Sequence, residues 1–317
     1  MKKIIETSKD DFLNIAFSLL KHSNTLLDIG CGIVPHAYVH HNVYIACEPY
    51  TEYVKILKKN RDELSNAVYL DSCVIILNED WESLLEKYEN YTVDTVYLID
   101  VIEHLPKDQG RYLLKKTEKM AKKQIVIFTP LEYIEQKTLP GNKDAWGLNG
   151  ADWQEHKSVW TPSDFDSDEW TFVICKDYHE TNNIGEVLDK PVGAFWAIKD
   201  IKENNNHCDI LENKEIQKMY EKTLKESLLK KEILISNINN IKQENMNLSK
   251  AIDEKSRFID SLNNSISNIN NIKQENMNLS KAIDEKSRFI DSLNNSNGYK
   301  LLKSYWSLKE KIKKFIK

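Results

Sequence analysis

The sequence predicts an α/β domain built on a mostly parallel sheet, followed by a long α-helical segment. Three observations carry this. From residue 11 to about 202, short apolar runs alternate with stretches of helical period. The strand candidates are apolar almost throughout, as in strands buried on both faces. Beyond about residue 213 the composition turns to Asn, Lys, Glu, Ile and Ser, with no Gly or Pro before Gly298.

The elements follow in order. "DFLNIAFSLLKH" is an amphipathic helix, and "TLLDIG" and "VYIACE" are short strands. "TEYVKILKKNRDEL" is a helix with Thr51 as its N-cap candidate. "VIILNE" is a strand, "WESLLEKYE" a helix and "DTVYLID" a strand. "GRYLLKKTEKMAKK" is a helix whose basic last turn suits the negative end of the dipole. "QIVIFTP" is a strand stopped by Pro130. "WTFVICKDY" and "VGAFWAIKD" have no helix between them, which predicts an antiparallel hairpin at one edge of the sheet. The domain is expected over 1–202 and a polar linker over 203–212.

The remainder is repetitive. "ISNINNIKQENMNLSKAIDEKSRFIDSLNNS" fills 235–265 and returns unchanged at 266–296. With Leu234 at heptad position d, Ile238, Ile252 and Ile259 fall at a, Asn245 also at a, and Ile241, Leu248 and Leu262 at d. Ile at a, Leu at d and one polar a position favour a parallel dimeric coiled coil over 213–296, against Lys255 and Lys286 at d. The 31-residue period is four heptads plus three residues, so each repeat inserts a stammer near Ile269–Ile272. After Gly298 comes "YKLLKSYWSLKEKIKKFIK", where Leu301, Leu302, Tyr305, Leu308, Ile312, Phe315 and Ile316 share one helical face among lysines. This basic amphipathic helix over 299–317 is the pattern of a segment lying in an anionic membrane surface.

Composition narrows the class. The chain has 317 residues, 41% of them hydrophobic, which suffices for a domain with a real core. A net charge of -5 argues against nucleic acid as a partner. Five cysteines without a CxxC pair fit a reducing cytoplasm better than a disulfide scaffold or zinc ribbon. The N-terminal "MKKIIETSKDD" turns acidic before an apolar run develops, so no signal peptide is expected, and no apolar stretch is long enough for a transmembrane helix.

The chemistry starts at "LLDIGCGIVPHAYVHHNVYIACEPY". Asp28, Gly30 and Gly32 open a Rossmann-like nucleotide-binding turn, but the third glycine of GxGxxG is replaced by Val34-Pro35. The helix whose N-terminus meets a pyrophosphate has almost no room. S-adenosylmethionine (SAM) carries no phosphate. It needs a close backbone approach, here Gly30 and Gly32, and an acid for its ribose, here Glu48 at the end of the next strand. In "LNEDW", Asp80 is the candidate acceptor for the adenine amino group, with Trp81 against the ring; either Asn78 or Asp80 equally suits a helix N-cap. In "DVIEHLP", Asp100 is placed at the rim of the methionine pocket.

The order "LLDIGCG…CEPY…LNEDW…LIDVIEHL…IVIFTP" resembles class I SAM-dependent methyltransferases. "DIGCGIVPH…EPYTEYV" with "FTPLEYIEQ…DAWGLNGADWQEHKSVWTPSDF" is similar to a bacterial group of these enzymes associated with polysaccharide and cell-surface glycan assembly. The resemblance covers about 24–200 and implies a Rossmann-like domain, SAM as cofactor and a glycan or glycan-precursor hydroxyl as acceptor. An alcohol acceptor needs a base or a metal. His104 and His156 are the candidate bases, with Glu103 beside them, and Trp146, Trp153 and Trp160 are candidate platforms for a sugar, or else core residues. Asp100, Glu103, His104 and His156 also resemble the set with which metal-dependent 2′-O- and catechol-type methyltransferases hold Mg²⁺; a metal-free site is the expectation and Mg²⁺ the alternative. His36, His40 and His41 are expected at the pocket mouth or in solvent. The whole reads as a cytoplasmic, peripherally membrane-bound, coiled-coil methyltransferase. Its rivals are a methyltransferase of a small metabolite or protein, and a non-catalytic scaffold.

Overall fold

The computed structural model describes residues 2–63, 72–166, 168–202, 208–263 and 269–295, together with Glu310. It divides into two units, residues 1–224 and 225–317.

In the first unit, β1 (Lys3–Glu6) and α1 (Lys9–Ser18) precede β2 (Ser23–Ile29) and β3 (His41–Cys47). Then come α2 (Thr51–Asp62), β4 (Cys73–Leu77), α3 (Trp81–Lys87), β5 (Tyr91–Ile99), α4 (Lys107–Met120) and β6 (Ala121–Pro130). A single turn, α5 (Ala151–Gln154), precedes β7 (Trp170–Thr181), β8 (Val187–Asp200) and the short β9 (Cys208–Asp209). The strands lie in the order β1-β7-β8-β6-β5-β2-β3-β4, with β9 beside the start of β5. All pairs are parallel except those of β8, which runs antiparallel to both β6 and β7.

The chain steps outward from β2 to β3 and β4, then returns to β5 on the other side of β2 and steps outward again to β6. The direction reverses between β2 and β5. The crevice beyond their carboxyl ends is where ligands bind in open sheets of this kind. Residues of β2, β5 and β6 such as Leu27, Val96, Leu98 and Ile127 are wholly buried, which explains their near-continuous apolar sequence.

The β2–β3 crossover has no helix, as the missing glycine and short spacing predict. Its loop is held by side chains instead. The Asp28 carboxylate accepts the backbone N–H of His36 (3.2 Å), its ring Nδ1 (3.0 Å) and the Tyr44 hydroxyl.

Several expectations are corrected. The hairpin β7–β8 forms, but the edge beyond it is occupied by β1, whose four residues, three exposed and one half-buried, carry too little pattern to predict. The N-cap of α2 is Tyr50, without a side-chain cap; the Thr51 hydroxyl donates to Asn78 instead (3.0 Å). The stretch 203–212 does more than link, since 208–209 form β9 and Ile210 is fully buried in the core; residues 203–207 lie outside the described ones. The compact unit continues to Leu224, with Ile216 buried and Tyr220 packed on the core.

The helices α6 (Lys214–Asn263) and α7 (Ile269–Asn295) carry the repeats. In the second unit Met246, Leu248, Met277, Ile283, Phe289 and Ile290 are exposed. The stammer expected near Ile269–Ile272 falls at the start of α7, where the side chains lie outside the described ones, as do residues 264–268 altogether. The basic segment 299–317 also lies outside them, except for Glu310. Among the described residues no helix is long and apolar enough to cross a membrane.

Candidate active site

A cleft of about 560 Å³ opens at the carboxyl ends of β2 and β5, within the size range of small-molecule sites. Two constellations line it.

The first is the glycine turn. Gly30 and Gly32 both take left-handed backbone conformations, with φ of 71° and 62°. At Gly30 a side chain would also meet Val101, whose Cγ2 lies 2.9 Å from the position of an added Cβ. The Gly30 N–H donates to the Cys47 carbonyl (2.8 Å), which fastens the turn to the end of β3. Glu48, only 4% exposed, accepts the Gly32 N–H on Oε2 and the Tyr50 N–H on Oε1, each at 2.9 Å. A carboxylate has about four acceptor positions, so each oxygen retains one for a ligand hydroxyl. Burial raises the Glu48 pKa to about 7, against the two backbone N–H donors that favour its charge.

Above this turn sits Trp146. Its ring edge lies 3.2 Å from where a Cβ on Gly32 would be, and it packs edge-to-face on Tyr53 (4.9 Å). Asp144, 1% exposed, positions the loop. Its Oδ1 accepts the N–H groups of Trp146 and Leu148, and its Oδ2 accepts the Gly150 N–H and the Tyr53 hydroxyl (2.6 Å). Sequence reading missed Asp144 and Tyr53. A lone aspartate before a glycine-rich loop was the available signal.

Asp80 lines the cleft, but both its oxygens are engaged by Ser83, from the backbone N–H (2.8 Å) and the hydroxyl (2.9 Å), so it is the N-cap of α3. These bonds and the helix start hold its carboxyl below the usual range. Asn78 caps nothing; its amide donates to the carbonyls of Glu48 and Pro49. Trp81 lines the cleft and packs on Tyr112. Asp28 does not line the cleft; it faces Tyr44 and His36 beneath the turn. His36 lines the cleft. Burial alone would lower its pKa, and the charge and hydrogen bond of Asp28 outweigh this and raise it. His41 is buried at 1% exposure and bonded to Ser23 (2.6 Å), not at the pocket mouth, because it begins β3 inside the sheet. His40 bonds the Asn42 amide oxygen (3.2 Å).

The second constellation follows β5. Asp100 takes a left-handed conformation (φ 52°) and projects into the cleft; burial raises its pKa to about 6, against the charge of His36 and a hydrogen bond with Glu103. Glu103, 2% exposed, lies on the 3₁₀ turn Ile102–His104. Its carboxylate oxygens make no short, well-aligned hydrogen bond among the described residues, and Thr129 and Asp100 are the neighbours that act on them. Burial, and then the charge of Asp100, raise it well above the carboxylate range.

The sequence-predicted bases His104 and His156 come together, their ring centroids 4.9 Å apart. His104 Nδ1 lies 3.1 Å from the Glu155 carbonyl, which can only accept, so Nδ1 carries the proton and Nε2 keeps its lone pair. His156 Nε2 meets the Gln136 amide at 3.1 Å. Burial lowers His104 to about 4 and His156 to about 3, so both rings are neutral at pH 7 and are weak bases. His179, lowered by burial to about 4, also lines the cleft with Gln136, Asn182 and Asn183. Sequence reading missed all four, because no local pattern marks them.

The three tryptophans separate. Trp146 and Trp153 are 45% and 48% exposed and line the cleft. Trp160 is wholly buried and is no sugar platform. Its indole N–H donates to the Ile102 carbonyl (3.0 Å) and the Ser158 hydroxyl (2.8 Å), and its ring fills the space left by Gly110 of α4.

No protein-family model and no curated protein matches the chain. Among solved structures it is similar to TehB from Haemophilus influenzae, at 12% identity over 59% of this chain and 61% of that one, with a TM-score of 0.39. It is similar to the magnesium protoporphyrin IX methyltransferase ChlM of Synechocystis PCC 6803 with bound SAM, at 11% identity over 60% and 77%, TM-score 0.35. It is also similar to the cyclopropane synthase MmaA2 of Mycobacterium tuberculosis, at 20% identity over 38% of this chain, TM-score 0.31; the chain spans 42% of that protein's length. Likenesses this distant carry no weight for function, which is read from the site alone.

Proposed function

We propose that the cleft binds SAM and that the chain transfers its methyl group to an acceptor hydroxyl. One observation carries this reading: a left-handed Gly30–Gly32 turn, with no phosphate-binding helix behind it, closed onto the buried Glu48 at the next strand end. Gly30 and Gly32 admit the methionine part against the backbone, Glu48 accepts the ribose hydroxyls, Trp81 and Trp146 flank the adenosyl group, and Asp100 faces the methionine end. Asp80 contributes by fixing the start of α3. Asp28 contributes indirectly, by holding the loop of His36. His104, His156 and Glu103 handle the acceptor at the other end of the cleft.

SAM already carries its leaving group, so the protein aligns the acceptor oxygen with the methyl carbon and removes a proton. A glycan or glycan precursor is the acceptor class that the sequence resemblance favours, and Trp153 offers it an exposed ring. The repeats would pair two copies through the Ile and Leu positions of α6 and α7, and the basic segment 299–317 would hold the dimer on an anionic membrane surface. Calorimetric titration with SAM tests the core of this reading: 1:1 binding is expected, and its absence would leave a scaffold. Labelled SAM with cell-envelope glycan fractions tests the acceptor. Liposome flotation with and without 299–317 tests the membrane contact, and equal flotation would remove it.

A further inference from the structure

Four histidines line the cleft: His36, His104, His156 and His179. Behind His104 stands a backbone carbonyl, and behind His156 the Gln136 amide. Among the described residues, His36 is the one of the four with a carboxylate within bonding distance of its ring.

That carboxylate is Asp28 of β2, wholly buried just before the glycine turn. Its Oδ2 lies 3.0 Å from His36 Nδ1 and 3.2 Å from the His36 backbone nitrogen. An ionised carboxylate only accepts, so Nδ1 carries the proton and Nε2 keeps its lone pair. Tyr44 of β3 donates its hydroxyl to the same Asp28 oxygen and accepts the His36 N–H at 2.6 Å. Ring and backbone of His36 are thus pinned from two adjacent strands. A crossover without a helix leaves residue 36 free to fold back onto β2 in this way. Asp28 does not line the cleft and His36 does, so the imidazole bridges the buried carboxylate and the cleft. Its side chain is 25% exposed, and Nε2 makes no hydrogen bond among the described residues.

We propose that His36 is the general base of the methyl transfer and that Asp28 is its positioning residue. The assignment rests on the proposed reaction. The acceptor proton must leave where the methyl group arrives, and the methyl carbon sits on the sulfur beside the methionine part. The charge of His36 acts on Asp100, which faces that end of the donor. His104 and His156 stand at the other end and, with pKa values lowered by burial to about 4 and 3, are weak bases there. Burial works against a charged His36 as well, but the charge and hydrogen bond of Asp28 outweigh it and Asp100 adds to them, so this ring is raised instead. A base with a pKa near the working pH is the efficient kind. The remaining neighbours, Tyr38 stacked at 6.1 Å and Tyr44, are held neutral by burial and do not share the titration.

In the step itself, Nε2 takes the proton of the acceptor hydroxyl while the oxygen lone pair forms the new O–C bond. The S–C bond breaks and its electron pair stays on sulfur. The products are the methyl ether, S-adenosylhomocysteine and the His36 imidazolium, which then gives its proton to water. A buried carboxylate on the far ring nitrogen fixes the tautomer and stabilises the imidazolium as it forms.

The full chain with isotope-labelled histidine is titrated by NMR, His36 being assigned from His36→Gln. The neutral ring is expected to carry its proton on Nδ1 and to titrate above the ordinary histidine value of about 6.5, with a lower value in Asp28→Asn. A proton on Nε2, or titration at or below the ordinary value, overturns the base without any acceptor being needed. Turnover is read with labelled SAM and cell-envelope glycan fractions. His36→Gln should lose at least ~100-fold in kcat, the usual contribution of a positioned base, while still binding SAM. In Asp28→Asn the rising limb of kcat against pH should move to lower pH and the plateau should fall. A limb that stays in place would make Asp28 a structural residue only. SAM titration keeps the readings apart. Native protein that binds no SAM refutes the methyl-transfer reading. SAM binding with native turnover in His36→Gln refutes the base alone. Native protein that binds SAM but methylates none of the fractions refutes the glycan acceptor, and the NMR titration then decides the base.

Discussion

At the glycine end of the cleft both oxygens of Glu48 accept a backbone N–H; at the opposite end the Glu103 oxygens make no well-aligned bond of that kind and have Asp100 and Thr129 as neighbours. The two carboxylates are buried alike, at 4% and 2% exposure. Burial raises both in pKa; the two backbone N–H donors of Glu48 oppose this and leave it at about 7, whereas the charge of Asp100 raises Glu103 further. The difference separates two ways of building a site. The glycine end is complete as a piece of backbone structure and presents spare lone pairs to a ligand. The Glu103 end instead sets two carboxyl groups, Glu103 and Asp100, against each other.

The comparison is broken most severely from below. Trp160 ties the carbonyl of Ile102, the residue before Glu103, and fills the gap beside Gly110. Trp160→Ala should cost about 3–5 kcal/mol of stability, as expected for removing a buried Trp. Trp146→Ala, on a half-exposed ring over the glycine turn, should cost less than ~1 kcal/mol and instead weaken SAM binding about tenfold, an estimate from the loss of one aromatic contact. Denaturant unfolding and SAM titration on the two variants check both statements. Similar stability losses would mean that the Trp146 loop is part of the core.

Glu48→Ala should come next. It orphans the N–H groups of Gly32 and Tyr50 and removes the ribose acceptor, each loss worth about 1–3 kcal/mol. SAM affinity should fall at least ~100-fold by the same estimate. Calorimetric titration reads this, and an affinity within about tenfold of native would remove Glu48 from the ribose site.

These two comparisons also show what was legible in the sequence. Gly30, Gly32 and Glu48 could be picked out because they sit at the ends of consecutive strands, whose register (Ile29 beside Cys47) brings those ends together. His104 and His156 could be picked as reactive residue types, but their meeting depends on a loop folding back, which spacing does not encode. Trp160 stayed open between cleft and core although a signal existed: a glycine inside a helix pattern, at Gly110, marks a site where a large ring approaches. Strand β1 and the buried Ile210 were missed because each is one short apolar note in a polar stretch.

Protonation sharpens the contrast further. Glu48 titrates at about 7 when folded, above its ordinary value. The native state holds a proton there that the unfolded chain has already released. This contribution to stability is full below the unfolded pKa and is lost as pH rises through about 7. A ribose diol donates to the charged form, so SAM binding should tighten as pH rises. Asp28 is the nearby charge that pushes Glu48 the same way, and His36, also raised, loses its positive charge over the same direction of pH. Between pH 6 and 8 the dissociation constant should drop about tenfold, the change in ionised fraction across a pKa near 7. In Glu48→Gln the dependence should flatten. A slope that persists in this variant would transfer the titration to His36 or Asp100.

The smallest effect should come from Asp80. Its carboxylate is already spent on the Ser83 N–H and hydroxyl, so it has less to give a ligand than Glu48 has. Asp80→Ala should cost about 1 kcal/mol of stability through the lost cap of α3. SAM affinity should fall only severalfold, through the displaced Trp81 at the first helical position. Asp80→Ser retains a capping oxygen without a full charge and should recover most of both losses, which thermal melting and SAM titration would read in parallel. If Asp80→Ser recovers stability but not affinity, Asp80 binds the adenine directly, and a helix cap then serves as a ligand residue as well.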